Sequence, residues 1–170
     1  MFRAEQHASG AAHAYATVHD AGRVRSALPA DLAALLVLEQ HFPGDRLSRQ
    51  SFRRLLCSAS AELRVYEEAG QVAGNAVLLY RRSSTQARIY SLIVHPDYQG
   101  RGIARTLLDS VEDAATARGC RALCLEVRAD NVSALRLYQK AGFKVVRQIT
   151  GYYQDCATAL RLEKSLPGSV

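Results

Sequence analysis

The stretch LIVHPDYQGRGIARTLL, residues 92 to 108, contains the pattern that decides the fold. It passes from an apolar β-rich run, through a turn that contains Gly100 and Gly102, into the first turns of an amphipathic helix. Glycines at such a turn let backbone N–H groups approach a ligand, and the helix start adds about half a positive charge. The stretch therefore predicts an anion site, most naturally for phosphate.

Two familiar phosphate-binding motifs do not match this turn. A P-loop has the pattern G-x-x-x-x-G-K-[ST], and a dinucleotide-binding turn has a third glycine and a later acidic residue. A purely structural interpretation also stays open, because a G-x-G between a strand and a helix can serve only to make the turn tight. The turn alone indicates an anion site without identifying the ligand.

A second informative stretch is LCLEVRADNVSALRLYQKAGF, residues 123 to 143, which predicts a strand followed by a helix. Glu126 lies among apolar residues of the strand. Tyr138 shares one helix face with small and apolar neighbours, so its side chain is expected to point toward the sheet. Asn131 or Asp130 is the predicted N-cap of this helix. A carboxylate and a phenol are thus brought near the same strand end.

The remaining patterns predict one mixed α/β domain. Strands and helices follow in the order strand, helix, helix, three strands, helix, strand, helix, two strands. We expect a mixed sheet with helices on both faces and a parallel centre formed by the two strand-helix-strand passages. The predicted segments are a loosely ordered N-terminal extension over 1–22, the domain over 23–166 and a C-terminal tail over 167–170.

Composition agrees with a single soluble domain. The chain has 170 residues, of which 48% are hydrophobic, and no apolar run approaches the roughly 20 residues that cross a bilayer. The first 20 residues lack the continuous apolar centre of a secretory signal, so a cytoplasmic location is predicted. The net charge of +6 suits nucleic acid, an acidic protein or a phosphorylated cofactor.

Arginines and cysteines point to no nucleic-acid or metal site. The arginine cluster has little aromatic interleaving and is expected to form a solvated helix face; its members are Arg46, Arg49, Arg53 and Arg54. The four cysteines lack the paired spacing of a zinc site and are expected to be buried free thiols; they are Cys57, Cys120, Cys124 and Cys156. No metal is expected.

A family resemblance adds to these observations. Gln99, Gly102 and Ala104 fit the [Q/R]-x-x-G-x-[G/A] signature of the GCN5-related N-acetyltransferase (GNAT) superfamily. LIVHPDY resembles the family's fourth strand and its exit, and LEVRADNVSALRLYQKAGF resembles the next segment of the RimI type, the ribosomal-protein-alanine N-terminal acetyltransferases. The resemblance spans about 23 to 162. It implies acetyl-CoA and a GNAT fold: a mixed, mostly antiparallel sheet of six to seven strands, with helices on both faces and a parallel, splayed central pair.

The resemblance also implies a cofactor site. Backbone groups of Leu92, Ile93 and Val94 would pair with the pantetheine arm of acetyl-CoA. The turn would hold the pyrophosphate through Gln99, Gly100, Arg101, Gly102, Ile103 and Ala104. Asn131 matches a further cofactor contact.

In the RimI type, the glutamate that matches Glu126 accepts the proton of the attacking amine, and the tyrosine that matches Tyr138 protonates the departing thiolate. Acetyl transfer from a thioester to an amine needs both, because an ammonium cannot attack and a thiolate leaves more easily when protonated. Two structural alternatives stay open. Glu126 could be a charge paired with Arg128 or another arginine, and Tyr138 could be a core aromatic.

Two aromatic segments are predicted to frame the acceptor, and they contain Phe42, Pro43, Tyr152 and Tyr153. The preferred acceptor is a protein N-terminus or another peptide amine. A small amine, such as an amino acid, a polyamine or a drug, is the alternative substrate, and a non-catalytic acyl-CoA-binding sensor is the alternative class. We expect a monomer or homodimer without nucleic-acid or membrane partners.

Overall fold

The computed structural model describes residues 22–42 and 46–167. Pro43, the C-terminal residues 168–170 and all but the last residue of the predicted N-terminal extension lie outside the described residues. The described strands are β1 Arg23–Ser26, β2 Ala61–Glu68, β3 Gln71–Tyr80, β4 Gln86–Val94, β5 Ala122–Arg128, β6 Lys144–Ile149 and β7 Ala159–Ser165. The α-helices are α1 Leu32–Gln40, α2 Arg49–Leu56, α3 Ile103–Ala117 and α4 Val132–Lys140. Short 3-10 turns cover Pro29–Asp31 and Pro96–Tyr98.

Two of the described helices, α2 and α4, begin at a side-chain cap. The side-chain oxygen of Ser48 accepts a hydrogen bond from the backbone N–H of Ser51 (3.1 Å) at the start of α2. Asn131 does the same for Ala134 (3.1 Å) at the start of α4, which confirms one of the two predicted caps.

The strands form one sheet with the order β1-β2-β3-β4-β5-β7-β6. Successive strand residues face opposite sides. Ala76 and Leu78 of β3 belong to the core beneath α3 and α4, whereas Val77 belongs to the core beneath α1 and α2. Helices therefore cover both faces, as predicted.

The only parallel neighbours among the described strands are β4 and β5, and they pair over a short length. Three pairs join them, from Gln86↔Ala122 to Arg88↔Cys124, after which the two strands diverge. The strand β4 also carries a bulge at Tyr90, because Ile89 and Ser91 face successive residues of β3. This confirms the predicted mixed sheet with a splayed central pair.

One detail of the predicted topology was wrong. The second strand-helix-strand passage does not give parallel neighbours, because β7 lies between β5 and β6 and is antiparallel to both. The last strand turns back and inserts beside β5. The sheet is therefore antiparallel everywhere except at β4 and β5.

The cysteine prediction was half correct. Cys120 and Cys124 are buried free thiols, but Cys57 and Cys156 are exposed. Cys57 directly follows α2, and Cys156 lies in the β6–β7 loop, where connecting segments run over the surface. Arg49, Arg53 and Arg54 form the expected solvated face of α2, whereas Arg46 is exposed but lies before this helix. The described part of the chain contains no helix that is long and apolar enough to cross a membrane.

Candidate active site

A cleft of about 300 Å³ opens where β4 and β5 diverge. It brings together many of the residues predicted for the site: Phe42, Leu92, Ile93, Glu126, Asn131, Tyr138, Tyr152 and Tyr153 all line it. Val94 and the turn over 99–104 do not line the cleft. The predicted proton-transfer residues and the acceptor-framing aromatics therefore share one space.

Glu126 lies on the floor of this cleft, and only 7% of its side chain is exposed. The guanidinium of Arg88 donates to Oε2 (Nε, 2.8 Å), and that of Arg161 donates to Oε1 (Nη1, 3.0 Å). Arg128 pairs with Asp130 and Asp155 instead. Glu126 is thus a paired charge, but a carboxylate has about four acceptor positions, so its oxygens retain capacity for a further partner.

Tyr138 reaches the same cleft from α4. Its side chain points toward the sheet, as the helical pattern predicted, and its ring packs edge-on against Phe143 (5.6 Å between centroids). Burial raises the pKa of the Tyr138 phenol well above its usual value, and nearby Tyr153 adds to the effect. The hydroxyl therefore keeps its proton at neutral pH.

The divergence leaves one edge of β4 open. Leu92, Ile93 and Val94 pair with β3 on one side, but among the described strands none pairs with them on the other. Backbone N–H and C=O groups on that side are available to an extended ligand.

The turn before α3 has the features of a phosphate site. Gly100 (φ +74°) and Gly102 (φ +80°) are left-handed, and no described atom other than those of the adjoining residues lies within 4 Å of the position a Cβ would take at either. The Gln99 amide donates to the carbonyl of Val94 (3.2 Å) and ties the turn to β4. Gly102 caps α3 without a side chain, so the first amides of this 15-residue helix face the turn without an intrahelical partner.

The β6–β7 loop forms the rim of the cleft and is held from below. Tyr152 and Tyr153 pack edge to face (5.0 Å). The Tyr152 hydroxyl accepts a hydrogen bond from Nη2 of Arg88 (3.0 Å), and the Arg128 guanidinium lies over the Tyr153 ring (5.1 Å). Arg88 therefore joins the rim to Glu126 on the floor.

Three charged residues of the site were not identified from the sequence. Arg88 is the one charged residue of β4, as its position among apolar residues of the sequence could have signalled, whereas Arg161 lies in β7 beside other charged residues and gave no such signal. Glu39 of α1 also lines the cleft and accepts a hydrogen bond from the Leu47 amide (Oε2, 3.0 Å). Burial raises the pKa of the Glu39 carboxyl. A single acidic residue in an apolar helix was the signal there.

Comparisons with known proteins find relatives in sequence and in fold. The [Ribosomal protein bS18]-alanine N-acetyltransferase of Escherichia coli K12 is 40% identical over 68 residues, which is 40% of this chain and 46% of that protein. The crystal structure of the Escherichia coli ribosomal-protein-S18-alanine N-acetyltransferase superposes with a TM-score of 0.79 at 26% identity, covering 88% of this chain and 96% of that one. Ard1 from Thermoplasma volcanium gives 0.80 at 27% identity, covering 86% and 99%.

In the sequence comparison, the matched region spans about half the length of the curated relatives. The family described as Acetyltransferase (GNAT) family matches residues 32–143, which include the turn before α3, Glu126 and Tyr138. This match runs from the start of α1 to the residues just after α4. The chain belongs to the GNAT family of acetyltransferases.

Proposed function

We propose that this protein is an acetyl-CoA-dependent N-acetyltransferase whose acceptor is a protein N-terminus or another peptide amine. The observation that carries the proposal is that Glu126 and Tyr138 line one cleft at the divergence of β4 and β5. Membership of the GNAT family supports acetyl transfer, and the relative that acts on a ribosomal protein supports a peptide acceptor.

The cofactor site follows from the open edge and the glycine turn. The backbone of Leu92, Ile93 and Val94 would pair with the pantetheine arm, and the turn over 99–104 would bind the pyrophosphate. Asn131 uses its side-chain oxygen to cap α4, which leaves the amide NH₂ to contact the cofactor. When bound, acetyl-CoA supplies an activated thioester at the cleft.

Glu126 and Tyr138 then carry the two proton transfers. Glu126 accepts the proton of the acceptor amine, directly or through a water, and Tyr138 donates its proton to the departing sulfur. Arg88 and Arg161 hold one carboxylate oxygen each and so fix the direction in which Glu126 presents its remaining acceptor positions. Burial keeps Tyr138 in the protonated form that a general acid requires.

The aromatic residues Phe42, Tyr152 and Tyr153 would frame the acceptor, together with Pro43, which follows Phe42 in the chain. The domain over 23–166 would carry the whole reaction, with 1–22 and 167–170 as additions. A cytoplasmic location and a monomeric or dimeric state remain predictions.

The test is a thiol-release assay with acetyl-CoA against N-terminal peptides, lysine peptides and free small amines. We expect the CoA thiol to be released faster with N-terminal peptides than with lysine peptides or free small amines. Preference for a small amine would replace the proposed acceptor, and tight CoA binding without release would indicate a sensor.

The roles of the two residues are tested with Glu126→Gln and Tyr138→Phe. Each is expected to lower kcat by about 100-fold or more, because general acid and base groups contribute about 10²–10⁴. The matched controls are Glu67→Gln and Tyr66→Phe on β2, where Glu67 also pairs with an arginine, away from the cleft. Near wild-type turnover of both site variants across the pH range would refute the assignment.

A further inference from the structure

A second concavity, of about 600 Å³, adjoins the cleft on the sheet face that carries Glu126. It shares Arg88, Glu126 and Tyr152 with the cleft, so the two spaces adjoin along these three side chains. We call it the arginine basin, because its lining includes Arg81, Arg82, Arg88 and Arg161. Nothing in the acetyl-transfer mechanism uses this space.

The basin exists because part of one sheet face has no helix over it. Leu123 and Leu125 of β5 face the core beneath α3 and α4, so Cys124 and Glu126 between them face the opposite side. On that side, α1 and α2 cover a core built from strand residues of β2 and β3. Among the described residues, the face of β5 and β7 therefore stays open beside the cleft.

The basin carries an excess of positive charge. Glu126 is shared between Arg88 and Arg161, and Arg161 also contacts Glu163 (3.2 Å). Arg81 and Arg82, in the β3–β4 connection, are exposed and form no ion pair within the described part of the chain. Burial raises the pKa of the Cys124 thiol, so the floor adds no thiolate charge. The four guanidinium groups of the basin are thus balanced by only two carboxylates among the described residues, those of Glu126 and Glu163.

We infer that the arginine basin binds an acidic side chain of the acceptor peptide, an Asp or Glu a few residues after the reacting amine. Guanidinium groups present a planar fork that matches a carboxylate. An extended peptide advances about 3.3 Å per residue, so a chain whose amine meets Glu126 would pass into the adjoining basin with its next residues. The inference rests on the proposed function and narrows its acceptor to acidic N-terminal peptides.

The experiment compares kcat/KM for peptides that differ only by Glu or Gln at positions two to four. The acidic peptide is expected to be preferred by about tenfold or more, mainly through KM, because hydrogen bonds to charged groups are stronger than those to neutral amides. In the double variant Arg81→Ala, Arg82→Ala, the preference for the Glu peptide over the Gln peptide should fall to within about threefold, because two of the four guanidinium groups of the basin are removed. The matched control Arg53→Ala, Arg54→Ala removes the same charge from α2 and should keep the full preference.

Binding of the same labelled peptides to the CoA-loaded protein gives a readout independent of turnover. Tighter binding of the Glu peptide, lost in the Arg81 and Arg82 variant, supports the basin. Equal binding and equal kcat/KM for the Glu and Gln peptides would overturn it while leaving peptide acetylation intact. If free glutamate displaced the labelled Glu peptide as strongly as the unlabelled Glu peptide does, the peptide assignment would be overturned. Absence of transfer to every peptide would instead overturn the proposed function.

Discussion

Arg88 connects the floor of the cleft to its rim. Its guanidinium donates to Glu126 Oε2 (Nε, 2.8 Å) and to the Tyr152 hydroxyl (Nη2, 3.0 Å). Arg161 contacts the other oxygen of Glu126 and, through Nη2, the side-chain oxygen of Gln86 (3.2 Å), but no contact with Tyr152 is observed. The two arginines therefore both hold Glu126, but only Arg88 also holds the β6–β7 loop through Tyr152.

This difference gives a prediction for the paired variants Arg88→Ala and Arg161→Ala. Both should lower kcat, because a misplaced catalytic group can cost about 100-fold. Only Arg88→Ala should also raise KM for the peptide acceptor, because it alone releases the β6–β7 loop. The measurement is steady-state kinetics with acetyl-CoA and peptide varied in turn.

Arg88→Lys serves as the conservative control. It keeps the charge but not the planar fork, so partial recovery of kcat without recovery of the acceptor KM is expected. Identical kinetics for Arg88→Ala and Arg161→Ala would show that the contact with Tyr152 has no functional effect.

At the scale of an element, a left-handed glycine lies at each end of α3, and only one of the two lies at the proposed cofactor site. Gly102 begins the helix (φ +80°) and Gly119 follows its end (φ +79°), and no described atom of a more distant residue lies within 4 Å of a Cβ position at either. Their backbone requirement is the same. Only Gly102 lies where the first helix amides face the proposed pyrophosphate.

Gly102→Ala is therefore expected to raise KM for acetyl-CoA by about tenfold or more, whereas Gly119→Ala should leave it unchanged. Each substitution should lower the free energy of unfolding by about 1–2 kcal/mol, because an L-residue in the left-handed region is strained. Urea unfolding and acetyl-CoA titrations measure the two effects separately. Equal KM values for the two variants would remove the turn from the cofactor site.

At the scale of the whole molecule, the sheet consists of two parts with a weak seam. The strands β1 to β4 form one part and β5, β7 and β6 the other, and only three residue pairs join them through the β4–β5 ladder. The core beneath α3 and α4 holds both parts from one face. A ligand that pairs with β4 inside the gap would add contacts at this seam.

CoA is accordingly expected to stabilise the folded protein. At 100 times its Kd, a ligand that binds only the folded state adds about 2.7 kcal/mol, which raises Tm by roughly 5–10 °C for a chain of this size. Thermal unfolding with increasing CoA measures the shift. ADP, which lacks the pantetheine arm, is the control and should give a smaller shift at equal concentration. Equal shifts would indicate that the open edge of β4 does not bind the arm.

The sequence by itself determined the local features of this protein. Apolar periodicity identified the strands and helices, Asn131 caps α4 as predicted, and Tyr138 points toward the sheet. These features could be predicted because spacing along the chain sets which face of a strand or helix each side chain occupies. The motif at Gln99, Gly102 and Ala104 likewise indicated the family, because its residues are neighbours in the chain.

Only the tertiary structure decided which strands are neighbours. The insertion of β7 between β5 and β6 places Arg161 beside Glu126, 35 residues earlier in the chain, and the short β4–β5 ladder adds Arg88 from the other side. The same arrangement leaves the sheet face open that forms the arginine basin. Strand order depends on how distant segments pack together, and the alternation within each strand carries no information about its partner. The partners of Glu126 were therefore beyond the reach of the local pattern.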